Sequence, residues 1–96
     1  MYSVYILFSE KLNKYYTGTT DDVQSRLLEH NSVQYEDAYS SRGIPWTLFL
    51  QIDGLPSSQA YAVEKHIKKM KSTIYINNLK KYPELIDKLI KTTVNH

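Results

Sequence analysis

The sequence predicts an α+β fold on a small sheet, with elements in the order ββαβααα, and three observations carry that expectation. Residues 2–9 form a dense run of β-branched and aromatic side chains; a second extended stretch follows after a short polar connection; and residues 57–90 carry apolar positions at helical spacing behind helix-starting residues.

Tyr2 to Ser9 contains the longest apolar run, Val4-Tyr5-Ile6-Leu7-Phe8, and its continuity predicts a strand buried on both faces. Glu10-Lys11-Leu12-Asn13-Lys14 is too short for a crossover, so Tyr15 to Thr19 should pair with the first strand as an antiparallel hairpin. Thr20, Asp21 and Asp22 offer N-cap oxygens and first-turn negative charge for a helix to about Asn31. Residues 32–45 lack periodicity and read as a loop with a short helical turn near Glu36 to Tyr39. Trp46 to Ile52 is a third strand, and Asp53-Gly54-Leu55-Pro56 reads as a turn. Ser57 or Ser58 caps a helix to about Lys71, whose core-facing stripe is Ala60, Val63, Ile67 and Met70. Ser72 caps a further helix to about Lys81, and Pro83 opens a last one carrying Leu85, Ile86, Leu89 and Ile90.

Ninety-six residues fit a single domain over 1–96, burying roughly 65% of the surface its unfolded chain exposes. With 42% apolar and 23% charged residues the composition is globular, not disordered. The absence of cysteine excludes disulfides, zinc ribbons and thiol nucleophiles. With no apolar run near membrane length and no leader pattern, the expectation is a soluble cytoplasmic protein without a membrane partner. Residues 1–63 carry four basic and seven acidic side chains and residues 64–96 carry eight and three, so a net +2 divides into −3 and +5. A basic C-terminal third suits phosphate contacts, although solvated helix faces are often lysine-rich for no such reason.

Three charged or titratable side chains sit at the margins of apolar stripes. Val23 and Leu27 set the buried direction of the first helix; Arg26 precedes Leu27 by one residue, and His30 follows it by three. The structural explanation is an arginine snorkelling out of the core and a half-buried histidine with a backbone partner. Glu64 lies four residues after Ala60 and three before Ile67, where a carboxylate is costly unless paired or holding a cation. The neighbouring Lys65, His66, Lys68, Lys69 and Lys71 mostly point to other faces. One arginine, one histidine and one carboxylate would suit phosphate chemistry with a single hard cation.

The order of short motifs adds a resemblance. Ser3-Val4-Tyr5, ten intervening residues, Tyr16-Thr17-Gly18, Arg26 eight residues after that glycine, His30 one turn later and Glu64 in a later helix together resemble the GIY-YIG nuclease family. Arg42-Gly43-Ile44-Pro45-Trp46-Thr47-Leu48 and the stretch from Glu64 to Leu79 look like its small stand-alone bacterial members, and the chain is also similar to the corresponding domain of the excinuclease C subunit. The first triad differs from the family name by Ser for Gly and Val for Ile, and the second by Thr for Ile. The resemblance covers about residues 2–80. It implies a three-stranded mixed or antiparallel sheet flanked by helices, and hydrolysis of phosphodiester bonds in DNA, with RNA left open, using one Mg²⁺ or Mn²⁺ ion. Carried over, Glu64 is the metal ligand, Arg26 holds the scissile phosphate, Tyr16 accepts or relays the water's proton, Tyr5 orients that set, and His30 assists. Arg26, Arg42, Lys68, Lys69 and Lys71 are the candidate nucleic-acid contacts. Many relatives have a lysine after the first helix where this chain has Glu36 and Asp37, and some use an asparagine near Asn77 or Asn78. With no added DNA-binding module, specificity falls to this domain or to a protein partner. A second reading stays open: a nucleic-acid-binding or protein-interaction module on the same fold with little or no cleavage.

Overall fold

β1 (Tyr2–Ser9) is the central strand of a three-stranded sheet of order β2-β1-β3, antiparallel throughout, with β2 at Lys14–Thr20 and β3 at Trp46–Leu55. The computed structural model describes residues 1–32 and 42–94. The expected helical turn near Glu36 to Tyr39, and the acidic pair Glu36 and Asp37, lie outside the described residues.

The central position of β1 explains its continuous apolar run: Val4, Tyr5, Ile6 and Leu7 are each at most 1% exposed. Alternation sends these side chains into two separate cores. Val4 and Ile6 pack with Ala60, Val63, Ile67, Ile76, Leu79 and Leu89, which come from α2 (Ser57–Met70), α3 (Thr73–Lys81) and α4 (Pro83–Thr93). Tyr5 and Leu7 pack with Trp46 and with Val23 of α1 (Val23–His30). The sheet is therefore sandwiched, with α1 on one face and α2 to α4 on the other. Among the described residues no helix is long and apolar enough to cross a membrane.

Most helix boundaries follow the sequence chemistry. The Asp22 carboxylate accepts from the Ser25 backbone N–H at 3.1 Å, and Ser72 Oγ accepts from the Tyr75 N–H at 3.1 Å. Pro83 occupies the first turn of α4, where its missing N–H costs nothing.

Three expectations are corrected. β3 does not turn at Asp53; it runs to Leu55, and Gly54 adopts φ 74° within it, which lets pairing with β1 continue past an irregularity. Neither Ser57 nor Ser58 caps α2, because the N-cap is Pro56, without a side-chain bond, and both serines are already helical. Met70 leaves the buried stripe at 45% exposure, since the chain turns away at the left-handed Lys71 immediately after it.

Candidate active site

The hairpin register sets Tyr5 directly opposite Gly18. The Tyr5 ring lies across the space that a side chain at 18 would fill: an added Cβ would stand 2.5 Å from Tyr5 Oη and 2.6 Å from Cζ. Glycine is needed there for close approach. The ring is buried, its hydroxyl stands 3.5 Å from His30 Nε2, and the Arg26 guanidinium is near enough to act on its pKa. Burial pushes the hydroxyl above the ordinary tyrosine range, and the nearby Arg26 guanidinium opposes that push; Tyr5 is thus a protonated donor at neutral pH. Gly18→Ala should cost about 1–3 kcal/mol in denaturant unfolding, because the buried Tyr5 ring must move aside. A variant as stable as the wild type would mean the ring has room to shift.

His30 of α1 also meets aromatic rings from two strands. The rings of His30 and Tyr16 are 4.5 Å apart, and Trp46 lies 6.2 Å from His30 and 6.3 Å from Tyr16. Asn31 fixes the end of α1 against β3: its Oδ1 accepts from the Trp46 N–H at 2.6 Å, and its Nδ2 donates to the Trp46 carbonyl at 2.9 Å. Burial pushes the His30 pKa down, helped by the Arg26 charge, so the imidazole is neutral at pH 7.

That depression has a consequence for stability. As pH falls, the unfolded chain takes up the His30 proton before the folded protein does. Stability is fully present above the unfolded value, near 6.5, and is lost as pH falls through the lower folded value. Between about pH 7 and pH 5 the wild type should therefore lose more stability than His30→Gln. Parallel losses in a pH series of denaturant melts would contradict a half-buried, neutral His30.

Glu64 arrives from the other layer. Its side chain is 19% exposed; Oε1 accepts from Thr19 Oγ1 at 2.5 Å, and Oε2 pairs with Lys68 Nζ at 2.8 Å. Thr19 and Thr17 face α2, whereas Tyr16 and Gly18 face α1, so Glu64 reaches the site around the free edge of β2. Tyr5, Tyr16, Arg26 and His30 thus meet Glu64 at an edge fed from both layers, not on one face of the sheet. The two sides communicate: the Glu64 charge helps raise the Tyr5 pKa, and Lys68 Nζ stands 5.9 Å from the centre of the Tyr16 ring.

Comparison with known families matches the GIY-YIG catalytic domain to residues 1–81. The chain belongs to the GIY-YIG catalytic domain family. No significant match was found among curated proteins or among solved structures. Membership gives this chain a nuclease-type fold, and the departures from the family triads have local accounts. Ser3, in place of glycine, donates from Oγ to Asp53 Oδ1 at 2.6 Å across the β1–β3 pair. Val4 and Thr17, in place of isoleucines, are both buried on the α2 side of the sheet.

Among the described residues, no group of three or more His, Cys, Asp or Glu could hold a metal ion. A GIY-YIG domain with one carboxylate still fits Mg²⁺ or Mn²⁺, because such hard ions take one or two carboxylates and draw their other oxygens from phosphate and water. Both Glu64 oxygens have partners, and a cation binding at Oε2 would compete with the Lys68 ammonium there.

The remaining candidates divide. Arg42, Lys69 and Lys71 are exposed. Arg26, with a side chain 44% exposed, also pairs with Glu29 at 3.0 Å. Asn77 is committed to Tyr15 Oη at 3.2 Å and the Thr73 carbonyl at 2.8 Å, and Asn78 is half-buried. Sequence reasoning missed Thr19, Asn31 and Trp46 as supports of the site. Only Thr19 carried a signal, its place beside the glycine of the second triad.

Proposed function

We propose that this GIY-YIG domain is a metal-dependent endonuclease that hydrolyses phosphodiester bonds in DNA, selecting substrates by structure in repair or recombination. The observation that carries the proposal is the convergence of the Arg26–Tyr5–His30–Tyr16 cluster and Glu64 on one edge of the sheet. Arg26 offers a planar fork to a phosphate and stabilises charge built up in the transition state. Tyr5, protonated, donates a hydrogen bond to the same oxygen set. Tyr16 accepts or relays the proton of the attacking water, and neutral His30, in ring contact with it, can take that proton onward. One divalent ion at Glu64 would supply charge stabilisation to the phosphoryl oxygens.

One observation favours a second reading, a binding or protein-interaction module with little cleavage. Two cations that would face phosphate are already paired with the chain's own carboxylates, Arg26 with Glu29 and Lys68 with Glu64. A cleavage screen of branched, flapped, single-stranded and duplex DNA with Mg²⁺ or Mn²⁺ separates the two readings. The nuclease reading expects metal-dependent cutting of at least one structure; binding without cutting of any of them favours the module.

A further inference from the structure

We propose that the groove along the outer edge of β2 seats a single-stranded segment of nucleic acid running from the candidate active site toward the α2–α3 junction. This deepens the nuclease reading and rests on it. The groove has a volume of about 370 Å³ and lies between β2 on one side and α2 and the start of α3 on the other. Tyr16 lines it, as does Lys68, the residue that contacts Glu64, so it opens directly onto the site.

Its chemistry selects the occupant. Among the described residues, Lys14, Lys68 and Lys71 line it and no carboxylate does, although the chain as a whole is only +2. That is local charge complementarity to a run of phosphates. Tyr15, Ile67 and Ile76 make the lining largely apolar. A duplex turns phosphates outward and hides its base faces, so it gains little from an apolar lining. An unpaired strand can lay bases and sugars against such a surface while lysines hold the backbone.

The backbone adds a second observation. Asn13 and Lys71, with φ of 53° and 48°, are the non-glycine residues in left-handed conformation among the described residues, and both line this groove. Glycine is the usual residue at the helix end that Lys71 occupies, so a long cation is held there at a conformational cost. Lys65 on α2 and Lys91 on α4 are exposed, do not line the groove and provide an internal control.

The test is fluorescence anisotropy of a labelled single strand and a blunt duplex of equal length, in EDTA and across a salt series. The wild type should prefer the single strand. Lys14→Gln/Lys71→Gln should weaken that binding by about tenfold and make the log–log salt slope shallower by about 1.4, at about 0.7 for each phosphate no longer neutralised. Lys65→Gln/Lys91→Gln should leave the slope unchanged, and circular dichroism should show both pairs folded. Equal losses from the two pairs, an unchanged slope in Lys14→Gln/Lys71→Gln, or a preference for duplex would each overturn the groove. Failure of the groove remains distinct from failure of the nuclease reading. Metal-dependent cleavage that Glu64→Gln abolishes and Lys14→Gln/Lys71→Gln leaves intact would overturn the groove alone. Single-strand binding with the expected lysine dependence and no cleavage of any substrate would uphold the groove and end the nuclease reading.

Discussion

Glu64→Gln is expected to lower cleavage by on the order of 10³-fold or more while leaving the fold and metal-free DNA binding in place. Glutamine keeps the length and shape of the side chain, and its carbonyl oxygen can still accept from Thr19 Oγ1. What disappears is the negative charge that would hold a divalent ion, and a metal contributes several kcal/mol to phosphoryl transfer, each 1.36 kcal/mol being about tenfold in rate. The fold should barely respond. The ion pair removed, Glu64 with Lys68 one turn on, has a lysine side chain 53% exposed, and such helix pairs contribute only about 0.3–0.5 kcal/mol. Anisotropy in EDTA should show binding equal to the wild type or tighter, because Lys68 is released toward phosphate. Cleavage that survives the substitution at full rate would show that the ion is not held by Glu64. Loss of binding together with cleavage would instead make Glu64 a structural residue.

Which parts of this site could be read from the sequence follows from which spacings are local. The hairpin fixes Tyr5 opposite Gly18 through a short connection, and the helical period brings Arg26 and His30 onto one side of α1. These relations follow from backbone geometry alone, as do the Asp22 and Ser72 caps and the Pro83 helix start. The position of Glu64 is different in kind. Its helical spacing marks it as bordering a buried stripe, but no period says which face of the sheet α2 covers. Only the alternation of β2, with Thr19 toward α2 and Gly18 toward α1, decides that the carboxylate arrives around the strand edge. Lys68 shows a missed local signal: four residues after Glu64, it is a ready ion-pair partner, yet in the basic run it reads as a phosphate contact. Asp53-Gly54 misleads for the opposite reason. The pair carries turn chemistry, but β1 supplies hydrogen-bond partners as far as Leu55, and tertiary pairing overrides local preference.

Arg26→Ala should be as damaging to catalysis as the loss of Glu64, with a different accompanying signature. Removing a preorganised cation that faces a phosphate typically costs on the order of 10³-fold in rate. In the proposed nuclease Arg26 would act on ground and transition states alike, so DNA binding should also weaken, by roughly tenfold. Its effect on stability should stay below about 1 kcal/mol, since the Glu29 pair is exposed at the helix surface. The variant also changes the neighbours in a way that activity alone would not reveal. The Arg26 charge helps hold the His30 pKa down, so its removal should move His30 up toward the ordinary histidine value in an NMR titration. Tyr5 simultaneously loses the guanidinium that lowers its own pKa and is left facing His30 Nε2 at 3.5 Å. Arg26→Lys restores a charge but not the planar fork, so it should recover binding more than rate. Glu29→Gln makes the complementary change: it releases Arg26 from that ion pair, and phosphate affinity should rise. An unmoved His30 titration in Arg26→Ala would mean that the guanidinium does not act on the cluster, and the transition-state role would then have to pass to another cation at the β2 edge, such as Lys68 beside the Tyr16 ring.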